Sequence, residues 1–290
     1  MLALQASKRK FFKVYHVENE GYNSKFKDIQ EICDIRGIEI EKCNRKVITQ
    51  LTKYTADIPS VKVPHRGICA DVSHLKAESG DDIQYVDSDI DRLWLLLCSI
   101  GDPYNLGAIV RSAYFLGVER IFTCSPYDCS QSSSPLSPVA SRASAGALEI
   151  FTPKVIRHPE EFLERLEQNG TNYFYISITI DPPYLIIAQV LLLSYLPNLI
   201  LGWDIIGSTI DPQKREQLSN FQGNSLDSSN NQRRKSKILL IGNEGEGVAK
   251  SLLDKCNSYT CLQPRLNINT LVDSLNVSVA TALLIKQQMK

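Results

Sequence analysis

The run LWLLLCSI, Leu93 to Ile100, restricts the fold of this chain more than any other stretch. Successive residues of a strand point to opposite faces, so an unbroken apolar run cannot have one face in water. It reads as a strand buried on both sides, the place that a parallel sheet covered by helices provides. Helix and strand signals alternate from Arg92 onward, which makes residues 92–290 an α/β domain with a parallel sheet. Residues 1–70 alternate as well. FFKVYHV is strand-like, KFKDIQEICDIRG carries Ile29, Ile32 and Ile35 at helical spacing with Gly37 as its stop, and IEIEKC is strand-like again. This is a small α/β domain. Residues 71–91, polar and acidic, read as a linker. Residues 208–236, ending in SSNNQRRKS, are too polar to bury and are expected to be a disordered insertion.

Composition narrows the function little. The 290 residues are 43% hydrophobic and 22% charged, ordinary for a globular protein, and 32 Lys/Arg balance 32 Asp/Glu. The balance is uneven: residues 1–66 hold 13 Lys/Arg against 8 Asp/Glu, and KRKFFK, Lys8 to Lys13, is a candidate RNA-facing patch with two aromatics interleaved. The eight cysteines are spread through a chain too large to need staples and read as reduced structural thiols. Cys124 with Cys129 and Cys256 with Cys261 lie in strand-like runs and the four histidines are scattered, so no metal is expected. LALQASKRK lacks the apolar core of a secretory signal. Tyr184 to Trp203 has the length of a bilayer span but is interrupted by Gln189, Ser194, Pro197 and Asn198, and no membrane crossing is expected.

Three segments carry chemistry, each a strand, a loop and a helix. In IGDPYNLGAIVRSAYFLGVERIFTC, Asn105 stands where an N-cap should, Leu106, Ile109, Val110, Ala113 and Leu116 form a core stripe, and Arg111 points off it. In KILLIGNEGEGVAKSLLDKC a buried strand enters a Gly-rich turn holding Glu244, where glycines let a ligand approach the backbone. In LQPRLNINTLVDSLNVSVATALLI a helix from Ser274 to about Gln288 is apolar nearly all round, as a buried helix is. Its polar Ser274, Asn276 and Ser278 have a local explanation: Asp273 or Ser274 caps the helix, Asn276 bonds nearby, and Ser278 bonds back to its own backbone. GNEGEG fits neither a phosphate loop nor a dinucleotide fingerprint.

Together, NLGAIVRSAYFLGV, LLIGNEGEGV and SLNVSVA resemble, in order, the three motifs of the SpoU/TrmH family of RNA 2′-O-ribose methyltransferases, in the SPOUT superfamily. LALQASKRK, VPHRGICADVSHL, LSPVASRASAGALEIF and LQPRL are similar to segments of its mitochondrial branch, which methylates large-subunit ribosomal RNA. The resemblance implies a C-terminal domain with a deep trefoil knot, one of the few exceptions to unthreaded chains. It implies a ribosomal-protein-like RNA-binding domain before it, S-adenosyl-L-methionine as cofactor, RNA as partner and a homodimer through the knotted domain. It places the chain in the mitochondrion, or in the cytoplasm if it is a bacterial tRNA or rRNA relative. An inactive RNA-binding assembly factor is the other reading.

Residue by residue, the resemblance assigns Asn105, Arg111, Glu244, Ser274 and Asn276 to catalysis and backbone positions Gly242 and Leu275 to the cofactor. The spacer before Ser274 is about three residues longer than the family's and lacks its glycine, so the adenine contact falls on Gln263 or Leu266. With the family in view, Ser274 and Asn276 become cleft residues at a helix N-terminus.

Overall fold

The computed structural model describes residues 1–17, 24–53, 65, 67–83, 92–124, 136–169, 203–208, 236–243, 245–262 and 275–289. A three-stranded sheet stands near the N-terminus. β1 (Phe11–Val17) is its centre, parallel to β2 (Glu39–Cys43) and antiparallel to β3 (Ile68–Val72). α1 (Leu2–Ala6), α2 (Ser24–Arg36) and α3 (Arg45–Lys53) accompany it, and Leu4, Val14 and Cys33 form its buried centre. Gly37 follows α2 at φ +64°, the left-handed conformation that ends a helix, as the sequence indicated.

The second sheet has seven strands in the order β10-β8-β9-β5-β6-β7-β4, every pair parallel. These are β4 (Glu78–Ser79), β5 (Leu93–Cys98), β6 (Arg120–Cys124), β7 (Lys154–Val155), β8 (Asp204–Ser208), β9 (Lys237–Ile241) and β10 (Ser258–Thr260). LWLLLCSI supplies β5, flanked by β6 and β9, and every residue of the strand is buried. Its side chains divide by parity. Leu93, Leu95 and Leu97 pack with residues of α4 (Pro103–Leu116), α5 (Pro138–Ala143), α6 (Ala147–Ile150) and α9 (Val277–Gln288). Trp94, Leu96 and Cys98 pack with α7 (Pro159–Asn169) and α8 (Lys250–Leu253). Each buried leucine contributes roughly 2 kcal/mol of transfer free energy, enough for this run to dictate the central strand.

Three expectations about the chain need correction. The linker expected at 71–91 is not plain connection: β3 runs through Val72, Leu75 is buried in the large core, and β4 hydrogen-bonds along β7. KRKFFK is not a free basic patch. Arg9 is buried against Glu149, Lys8 donates to Thr152 Oγ1 at 2.8 Å, and Lys13 pairs with Glu39 and Glu41 across the small sheet. The last helix is not buried all round. Val277, Thr281, Leu284 and Ile285 face the core, while Leu275 before it and Val279 and Leu283 within it are about half exposed, since no described part of the same chain covers them. Most of the run 184–203 and of the insertion 208–236 lies outside the described residues. No described helix is long and apolar enough to cross a membrane.

Candidate active site

Ligands of parallel sheets sit beyond the carboxyl ends of the strands. At that edge the described chain places Cys98 of β5, Cys124 of β6, Ile241 of β9 with Gly242 just after it, and Thr260 of β10. The loop after β5 begins at Ser99, whose φ of 57° is uncommon for a residue with a side chain. It then enters α4. The N-cap of that helix is Asp102, not Asn105: the Asp102 carboxylate accepts from Tyr104 N at 3.0 Å and Pro103 takes the first helical position. Aspartate before proline is a readable start signal that outranks the asparagine further on. Asn105 therefore falls inside the first turn, buried, and its side chain serves a longer-range task. The core stripe is as the spacing indicated, and Gly117 closes the helix at φ 82°.

That task is a contact with the last motif. Asn276 Nδ2 donates to Asn105 Oδ1 at 3.0 Å, bridging positions 171 apart in the chain. The other end of the same amide caps α9: Asn276 Oδ1 accepts from Ser278 N at 3.0 Å and from Ser278 Oγ at 2.6 Å. The helix so begins at Val277 rather than Ser274, with Asn276 itself as the cap. Ser278 bonds to Asn276, not back to its own helix.

The turn after β9 is shaped by a residue that sequence reading passed over. Asn243 Oδ1 accepts from Gly245 N at 3.0 Å and from Glu246 N at 2.6 Å, and Asn243 O accepts from Gly247 N at 3.1 Å. An Asx turn at a G-N-x-G sequence was the available signal. Gly242 is glycine because the turn folds onto it: an added Cβ would lie 2.0 Å from Gly247 C and 2.2 Å from Val248 N. The close approach expected of a ligand is made here by the chain itself. Gly245 and Gly247 are the open positions: among the described residues such a Cβ meets Asn243 Oδ1 alone within 4 Å at Gly245, and nothing at Gly247.

Arg111 is exposed on α4 and, among the described residues, has no hydrogen-bond or ion-pair partner. It lines an open cleft of about 550 Å³ with Leu2, Phe115, Ser144, Ile150 and Ala282. Six residues separate it from Asn105, roughly 9 Å along the helix axis and a third of a turn away in direction. The structure therefore joins Asn105 to Asn276 and leaves Arg111 apart from both. Leu275 is half exposed beside Asn276. Glu244, Gln263, Leu266 and Ser274 lie outside the described residues.

The Cys98 thiol at the sheet edge and the Cys69 thiol of the small sheet are not nucleophiles. Cys98 is pushed well above its ordinary pKa by its hydrogen bond to Cys124 and by burial, and Cys69 in β3 is pushed up to about 11 by burial and by Cys43 and Asp71. Both stay protonated at neutral pH.

The family model for the SpoU rRNA methylase family matches residues 92–189 and 200–286. The chain belongs to this family. It is an RNA methyltransferase, and the region matched contains the large sheet from β5 to β10. It is 28% identical to the human protein named rRNA methyltransferase 1, mitochondrial, over 98% of this chain and 69% of that one. It is 33% identical to the Saccharomyces cerevisiae protein of the same name over 67% of this chain and 40% of the relative. The chain thus spans well under half of the yeast protein. Its fold is similar to that of the SpoU methyltransferase AviRb of Streptomyces viridochromogenes, solved in complex with AdoMet, with a TM-score of 0.58 at 16% identity over 100% of this chain and 87% of that one.

Proposed function

We propose that this methyltransferase carries a methyl group from S-adenosylmethionine to a ribose 2′-hydroxyl of RNA, and that its substrate is the large-subunit ribosomal RNA of mitochondria. The observation that carries the reading is the Asn105–Asn276 hydrogen bond, which closes the first motif onto the third at the mouth of the parallel sheet. The names of the human and yeast relatives support the ribosomal substrate and the compartment.

Three described features suit the cofactor. Thr260 Oγ1, at the end of β10, is buried and, among the described residues, lacks a hydrogen-bond partner, which a polar ligand would supply. Gly245 leaves an open approach to the turn after β9. The N-terminal end of α9 favours anionic ligand groups. Gly242 and Leu275 would hold the cofactor through backbone groups, and Gln263 or Leu266 would meet the adenine. The bound cofactor supplies a methyl carbon already made electrophilic by the sulfonium.

The chain's own work is then to orient a hydroxyl and manage one proton. Arg111 cannot be the base, because a guanidinium stays protonated in proteins. It holds the neighbouring phosphate and stabilises charge that develops on the 2′-oxygen. Ser274, or a water beside it, relays the proton to solvent, and Glu244 orients Arg111 or the loop. Asn105 and Asn276 fix the relative position of the two motifs.

A deep trefoil knot and a homodimer belong to the same reading. α9 follows the edge strand β10 in sequence yet packs against α4, which follows the central strand β5. Leu275, Val279 and Leu283 form one exposed apolar stripe, and Phe115 on α4 is 87% exposed, so an apolar surface is available for a second copy.

Two measurements test the proposal. Calorimetry on the folded protein should show S-adenosylmethionine binding; its absence would favour an RNA-binding assembly factor without catalysis. Arg111→Ala, on an exposed face of α4, should leave folding and cofactor binding nearly intact and lower single-turnover methylation about a hundredfold, the scale for losing one charge-stabilising donor. Arg111→Lys should recover little, since a point charge does not replace a two-pronged donor. Transfer by Arg111→Ala within a few-fold of wild type refutes its role.

A further inference from the structure

Outside the site, the most unusual group is a buried ion pair that ties the first ten residues to the catalytic domain. Arg9 and Glu149 are 6% and 2% exposed at their side chains. Arg9 Nε donates to both carboxylate oxygens of Glu149 at 3.0 Å, and one terminal nitrogen donates to Oε1 at 2.9 Å. The remaining terminal nitrogen donates to Ser73 O at 3.1 Å, beside the end of β3. Ser141 Oγ, on α5, donates to the same carboxylate at 2.7 Å. Every end of the pair is satisfied. On one side are β1, which starts two residues after Arg9, and β3; on the other are α5 and α6.

Neighbouring contacts follow the same line. Lys8 donates to Thr152 Oγ1, Leu4 of α1 is buried, and Leu2 lies against Gly146, where an added Cβ would come within 2.9 Å of its Cδ1. α5 in turn presses on α4: a Cβ at Gly107 would lie 2.3 Å from Ala140 O. α4 carries Asn105 and Arg111, and Leu2 itself forms a wall of the Arg111 cleft.

Desolvating two charges costs about as much as their attraction returns, so such a pair is weak evidence for stability; its directional fork sets register. We infer that Arg9 and Glu149 are positioning residues: they latch the small N-terminal domain onto the α5–α6 shoulder and so hold the Leu2 wall of the Arg111 cleft in one register for the RNA that the cleft receives. The inference rests on the RNA-methylation reading for its functional consequence, and on the geometry alone for the latch.

The test compares the full chain with Arg9→Met, Glu149→Gln, Arg9→Lys and the double variant Arg9→Met/Glu149→Leu. The double variant removes both charges together and guards against misfolding, because a buried pair replaced by apolar groups is commonly tolerated. The expected result is a KM for RNA raised at least tenfold in both single neutral variants and in the double, with S-adenosylmethionine affinity unchanged and kcat at saturating RNA within about threefold. Arg9→Lys, which keeps the charge but not the fork, should restore less than half of the loss. Hydrogen exchange over residues 2–10 and 141–152 should rise in both segments together in each variant that lacks the pair. This readout is independent of activity, so it still decides the latch if the wild-type chain proves unable to methylate RNA. A double variant with wild-type KM for RNA, or unchanged exchange in both segments, overturns the inference.

Discussion

A single amide in this protein does two jobs with its two ends, and substitution can separate them. The carbonyl end of Asn276 caps α9 through Ser278, and the amino end reaches Asn105. Serine is as good an N-cap as asparagine but too short to bridge to Asn105. Asn276→Ser should therefore keep stability within about 0.5 kcal/mol, whereas Asn276→Ala should lose about 1 kcal/mol with the cap. Both should slow single-turnover transfer at least tenfold, or about 1.4 kcal/mol of activation free energy. Ser278→Ala should not be silent: it removes the 2.6 Å hydroxyl contact that steadies the amide, and a several-fold loss of rate is expected. Thermal unfolding with single-turnover kinetics checks all three, and a fully active Asn276→Ser would show the bridge to be dispensable. The sequence carried the residue but not its division of labour. In DSLN, four successive residues include three competent caps, and only the distance to Asn105 selects one. Asp102 differs: the proline after it made the cap readable, and its carboxylate holds the place the spacing had assigned to Asn105.

Among elements, α4 was legible and α9 was not, for one physical reason. Periodic apolar residues report that a face is covered, and on α4 the cover is the chain's own sheet and helices. On α9 Val279 and Leu283, like Leu275 just before it, are left about half exposed by the described residues of the chain, and a pattern of hydrophobicity cannot say which molecule does the covering. The glycine of the first motif shows what else spacing omits. Gly107 costs α4 about 1 kcal/mol relative to alanine in a helix interior, so its retention needs a compensating contact. The contact is α5: besides Ala140 O at 2.3 Å, a Cβ there would meet Ala143 Cβ at 2.7 Å and Ser144 N at 3.0 Å. Gly107→Ala should thus destabilise the protein by about 1–3 kcal/mol despite its better helix propensity, the range for overpacking a close contact. At roughly 2–4 °C per kcal/mol for a domain of this size, the melting temperature should fall by several degrees. An unchanged or higher melting temperature would show that α5 yields, and that the backbone contact is not what keeps the glycine.

At the scale of the whole molecule, the sequence announced a parallel sheet but not its strand order. LWLLLCSI and KILLI are equally apolar, and nothing in either says that β9 is inserted between β5 and β8. That order makes a prediction about the connection from β8 to β9. β8 ends at Ser208, and Asp204 N donates to Ser236 O at 2.9 Å, so the chain leaving one end of β8 must return to the other end before β9 begins. At about 3.3 Å per residue that is roughly 13 Å along the strand plus about 5 Å sideways, a separation near 14 Å. A parallel pair requires a crossover of about a dozen residues, whereas an antiparallel pair would accept a two-residue turn. The natural connection, with its SLDSSNNQRRKSK, offers little apolar surface to a core. Replacing residues 209–235 by twelve residues of Gly and Ser should therefore leave the melting temperature within a few degrees, a change of about 1 kcal/mol. Replacing them by two residues, which reach at most about 11 Å between Ser208 and Ser236, should abolish cooperative folding of the domain. A stable, cooperatively melting protein with the two-residue link would mean that β8 and β9 run antiparallel, and would remove the sheet edge on which the placement of the site depends.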